Sequence, residues 1–123
     1  MRGSENAVGD AQRELIERAY AAFNARDIDA VLDVLHPDVE WANGMEGGSV
    51  HGHDGVRAYW RRQWTMIDPR VDPVRIVRNA DGSFVVDVHQ VVRDLDGTVV
   101  ADRVVQHVYV FEHDLVRSMR IRE

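Results

Sequence analysis

The stretch from Tyr20 to Trp41 constrains the fold of this chain more than any other. It reads as the end of an amphipathic helix, an acidic joint at Asp27, a second short helix and then a strand. Beyond Asp72 the pattern changes to extended runs broken by Asp81-Gly82 and Asp96-Gly97, both strong hairpin signals. Helices first and a meander of strands afterwards predict an α+β domain, with helices laid on one face of a mostly antiparallel sheet. A curved sheet covered in this way encloses a pocket.

The spacing of Leu15, Ile16, Ala19, Ala22 and Phe23 predicts a first helix over 10–26, preceded by a mobile tail over residues 1–9. Asp27 caps a second helix with Ile28, Val31, Leu32 and Leu35 on its apolar face, and Pro37 is expected to end it. Val39–Ala42 and Val50–His51 read as short strands around a loop with three glycines. Gly52-His53-Asp54 opens a third helix, with Val56, Tyr59, Trp60, Gln63, Trp64 and Ile67 on one face and Asp68-Pro69 as its breaker. Strands are expected over 71–78, 83–94, 98–112 and 115–122. A single domain over 10–123 follows.

Composition excludes several kinds of function. The chain of 123 residues has no cysteine, which removes thiol chemistry and disulfides. Its net charge of −6 argues against a nucleic-acid partner, and its cations are all arginine, which removes lysine Schiff-base chemistry. No window is apolar over the roughly 20 residues of a membrane span, and no signal-like core follows Met1, so no membrane partner and a cytoplasmic protein are expected.

On the strand ending at Glu112, His107 shares a face with Val105, Tyr109 and Phe111, while Val104, Val108 and Val110 take the other. If Asp96-Gly97 forms a two-residue loop, His107 lies opposite Val86, with Val88 and Gln90 on the same side. An imidazole among apolar neighbours has its pKa pushed down and serves as an acid or base near neutrality, or is a structural histidine bonded to a carbonyl. Both readings stand at this point. A strand apolar on both faces also predicts a homodimer through the outer face of the sheet.

Four phrases carry a family resemblance: Tyr20-Ala-Ala-Phe-Asn-Ala-Arg-Asp27, Leu35-His-Pro-Asp-Val-Glu-Trp41, Gly52-His-Asp-Gly-Val-Arg-Ala-Tyr-Trp60, and His107-Val-Tyr-Val-Phe111 leading into Leu115-Val-Arg-Ser-Met119. They are spread over residues 10–123. The chain resembles the nuclear transport factor 2-like (NTF2-like) superfamily, and within it the SnoaL-like and ketosteroid-isomerase-like bacterial proteins. The resemblance implies a cone-shaped barrel of three N-terminal helices on a curved sheet, enclosing an apolar cavity. It implies a small hydrophobic ligand and acid–base side chains, with no metal and no cofactor.

At the positions of the isomerases' base, oxyanion tyrosine and oxyanion acid, this chain has Asn43, Ala19 and His107. The acid–arginine–acid set of the epoxide hydrolases is absent around Met119–Arg122, so a standard ketosteroid isomerase is not expected. The catalytic candidates are therefore His107, Asn43 and Tyr20, with His51 a further acid–base candidate at the cavity mouth. Trp41, Tyr59, Trp60, Trp64, Val86, Val88, Gln90 and Tyr109 are candidates for the lining. Two functions are compatible with this: an isomerase-, cyclase- or dehydratase-type enzyme acting on a hydrophobic carbonyl compound, or a ligand-binding or dimeric interaction module without catalysis.

Overall fold

The computed structural model describes residues 2–122. In chain order the elements are α1 (Arg2–Asn24), α2 (Ile28–Leu32), β1 (Leu35–Ala42), β2 (Ser49–His51), α3 (Gly52–Trp64), β3 (Ile67–Arg78), β4 (Phe84–Asp94), β5 (Val99–Glu112) and β6 (Leu115–Arg122). The strands form one open sheet in the order β2-β1-β6-β5-β4-β3. Neighbours are antiparallel except β1 and β6, which run parallel. The expected α+β arrangement of three helices on a mostly antiparallel sheet is present.

The helices meet the sheet towards its two sides, α1 on β3 and α3 on β1, β2 and β3. The middle strands β4 and β5 therefore keep part of their inner face free of helix. Ile16 from α1, Val31 and Leu32 from α2, Trp60 from α3, and Phe84, Val86 and Tyr109 from the strands are buried around that space.

Several boundaries differ from expectation, each for a local reason. Helix α1 begins at Arg2 rather than Asp10, so most of the expected tail is helical; Met1 lies outside the described residues. No proline interrupts residues 2–9, and a nucleated helix propagates until something stops it. Its far end is a Schellman closure, in which the Arg26 N–H donates to Phe23 O and the Asp27 N–H to Ala22 O. Arg26 is left-handed there, at φ 63°.

Pro37 does not end a helix: α2 stops at Leu32, and both Leu35 and Pro37 belong to β1. Pairing with β6 breaks register between Leu35 and Glu40, which accommodates a residue with no N–H to donate. Asp68-Pro69 likewise lies inside β3, which starts at Ile67.

The Asp-Gly turns place His107 by a route the sequence did not suggest. Both hairpins close as three-residue loops, with Gly82 at φ 90° and Gly97 at φ 93°. Asp94 N–H donates to Thr98 O and Gly97 N–H to Asp94 O. A three-residue loop shifts β5 by one residue against the two-residue register. A bulge at Val100, between the pairs Val92–Ala101 and Arg93–Val99, shifts it back. His107 consequently pairs with Val86 as expected, and its ring turns inward.

Candidate functional site

The space between the helices and the sheet is a cavity of about 200 Å³. Trp41, Tyr59 and Trp60 line one side of it, and Gln90, Val105, His107 and Tyr109 line the sheet side. At one end its walls are the buried Tyr20, Tyr109 and Met119; at the other they are the half-buried Ile67 and Val92 and the exposed Arg103. Among the described residues no Asp or Glu lines it.

Three side chains form a chain of hydrogen bonds at the buried end. The Tyr109 hydroxyl donates to the Tyr20 oxygen at 2.7 Å, and the Tyr20 oxygen lies 2.7 Å from His107 Nδ1. Tyr109 has no other hydroxyl partner among the described residues. Every O–H therefore finds an acceptor only when the chain runs from Tyr109 through Tyr20 to an unprotonated Nδ1. That direction leaves the imidazole proton on Nε2, which bonds to no described residue.

Burial enforces neutrality along this chain. Desolvation lowers the His107 pKa to about 4, because His107 is only 7% exposed and no carboxylate offsets the lost hydration. Desolvation raises the Tyr20 pKa well above its usual value, with the neighbouring Tyr109 adding to the effect. Burial raises Tyr109 as well. At neutral pH the set is an uncharged imidazole bonded to the protonated Tyr20, which is in turn bonded to the protonated Tyr109.

A second donor stands on α3. The Tyr59 oxygen accepts from the Gly44 N–H at 3.1 Å and from Gln63 Nε2 at 3.3 Å, so its own O–H remains to donate into the space it lines. Burial pushes its pKa up, partly offset by backbone bonds from the loop. Besides Gln90 and the exposed Arg103, the cavity thus presents two neutral donors, His107 and Tyr59, among apolar and aromatic walls. Such a surface holds and polarises a carbonyl oxygen better than it removes a proton from carbon.

A SnoaL-like domain model matches residues 16–119. The chain belongs to the SnoaL-like family. No curated protein matches it. Among solved structures, TerC co-crystallised with polyporic acid is 30% identical, with 90% of this chain and 89% of that one covered at a TM-score of 0.80. An NTF2-like protein of unknown function from Burkholderia pseudomallei is also 30% identical, covering 91% and 89% with a TM-score of 0.81. SalBIII, an epoxide hydrolase/cyclase-like enzyme of pyran ring formation in salinomycin, shares the fold at 18% identity, covering 90% and 88% with a TM-score of 0.76.

Within this SnoaL-like domain the structure gathers some of the expected residues and disperses others. His107, Tyr20, Tyr109, Trp41, Tyr59, Trp60 and Gln90 all line the cavity. Asn43 does not. Its Oδ1 accepts from the N–H groups of Met45 and Glu46 at 3.0 and 2.9 Å, and its Nδ2 donates to Glu46, so it caps the glycine-rich turn. The hydroxyl of Tyr20, a catalytic candidate by sequence, is engaged by His107 and Tyr109.

Val86 and Val88 are fully buried behind the cavity wall. Trp64 packs on Phe23 and Trp60, with the Arg26 guanidinium 5.0 Å from its ring centre. His51 is exposed opposite Glu40 on β2, away from the cavity. Among the described residues no three His, Asp or Glu converge as metal ligands. His53 Nε2 lies 2.8 Å from Leu35 O, and His89 pairs with Asp102 at 2.7 Å.

Arg103, Gln63, Ile67 and Met45 are lining residues that the sequence reading did not single out. For Arg103 the signal was available: it keeps the parity of His107 and Val105 along β5. The helical spacing places Ile67 at the end of α3 whereas it starts β3, and Met45 lies in a loop with no period to read.

Proposed function

We propose that the protein binds a small hydrophobic carbonyl compound in this cavity and closes or isomerises it without a cofactor. His107 Nε2–H and the Tyr59 O–H hold the carbonyl oxygen as negative charge develops on it. An enolate carbon of the same molecule, ionised before it enters, attacks the polarised carbonyl carbon. The new carbon–carbon bond takes its electron pair from the enolate, and the π pair moves to oxygen. The oxygen then takes a proton from a water molecule, whose hydroxide leaves to solvent, since donation by His107 would leave a buried phenolate at Tyr109. Tyr20 and Tyr109 are positioning residues for the imidazole.

The observation that carries this reading is the one-way donor chain ending on Nε2–H at the cavity. The family, and its relative TerC crystallised with an organic acid, support a small organic ligand. The test is product analysis by liquid chromatography and mass spectrometry, after incubation with aromatic 1,3-dicarbonyl compounds. Ring-closed or isomerised product is expected from the wild type, reduced about 10²-fold or more by His107→Gln and by about tenfold or more by Tyr59→Phe. Compounds recovered unchanged, with tight binding retained, would assign the second function, a binding module without catalysis. The absence of Asp and Glu from the described lining favours that alternative.

Assembly as a homodimer through the outer sheet face belongs to the same proposal. It is supported by Val77, Val104 and Val110, which are 38%, 62% and 39% exposed on that face.

A further inference from the structure

The geometry points to an ionised substrate: an aromatic or enolic organic acid, one to two rings long, with its anionic head at Arg103 and its carbonyl at His107. This deepens the proposed function and rests on it. The chain carries a net charge of −6, yet no Asp or Glu among the described residues lines the cavity, and Arg103 is the one formal cation that does. Five other arginines, Arg26, Arg57, Arg62, Arg70 and Arg117, are paired with carboxylates; Arg103 has no carboxylate partner among the described residues. Gln90 lies directly across from it on β4 and also lines the cavity, adding an amide donor beside the guanidinium.

Spacing sets the length of the ligand. Arg103 and His107 share a face of β5 four residues apart, roughly 13 Å along the strand. A guanidinium folded back along its stem shortens this to about 7 Å, so the interval matches one to two fused rings. Ionisation also removes a chemical difficulty. Where the acid is enolic, its anion is already the enolate that attacks, so that step needs no carboxylate base, and none lines the cavity among the described residues.

The test uses isothermal titration of the full chain at pH 7.5 with two probe pairs, benzoate and benzamide, 2-naphthoate and 2-naphthamide. In each pair that binds, the acid is expected to bind about three- to tenfold more tightly than the amide at low salt, with the preference shrinking as salt rises. Arg103→Gln is expected to abolish the preference and Arg103→Lys to restore part of it. Arg18→Gln, which removes the same charge from the exposed side of α1, leaves it intact. Equal binding of acid and amide overturns the anion assignment while the cavity reading stands. Binding of no probe overturns both.

Discussion

At the scale of single residues, what matters most is that His107 is neutral. Its folded pKa of about 4 lies below the ordinary 6.5. As pH falls through that interval the unfolded chain takes up the proton and the folded chain does not. His107 therefore contributes stability that is complete above about pH 6.5 and is lost towards pH 4, at up to about 1.4 kcal/mol per pH unit. Urea unfolding of wild type and His107→Gln across this range should show a difference that changes with pH; parallel curves would mean the imidazole titrates normally. Tyr20→Phe takes the donor from Nδ1 and the acceptor from Tyr109. A loss of about 1–3 kcal/mol is expected in the same measurement, because two buried polar groups are left without partners.

At the scale of elements, the sequence was legible wherever a period ran long enough to read. β6 has its expected bounds, β4 and β5 each begin one residue later than expected, and α3 opens at Gly52 as its glycine and Asp54 suggest. The misreadings cluster at proline and at loops. Local rules make Pro37 and Pro69 breakers, yet both sit in strands, because pairing partners and register shifts lie far away in sequence. The inward placement of His107 came out as expected although the loop length did not: the bulge at Val100 cancels the longer turn. Asn43 shows the limit of comparison by position, since its turn uses every polar atom of the side chain that the family resemblance offers to a ligand. Gly97, with open space around it but φ at 93°, isolates the turn's contribution. Gly97→Ala should cost about 1–2 kcal/mol from backbone strain alone, measured by thermal or urea unfolding; no loss would mean the loop had changed type.

For the whole molecule, the sheet separates two tasks. Its inner face supplies β4 and β5 to the cavity, while its outer face carries exposed valines among polar pairs such as His89–Asp102 and Gln106–Asp87. Sedimentation velocity at micromolar concentration should give a dimer, and Val104→Asp with Val110→Asp should give a folded monomer; a monomeric wild type removes the dimer. Among the described residues no helix is long and apolar enough to cross a membrane. The proposed chemistry depends on where one proton resides. Long-range ¹H–¹⁵N correlation spectra of the imidazoles, taken on the intact protein at pH 7, locate it directly. A His107 signal of the neutral Nε2–H form, shifting when 2-naphthoate is added, is the predicted result. An Nδ1–H or doubly protonated ring, or a His107 signal indifferent to the ligand, would contradict it.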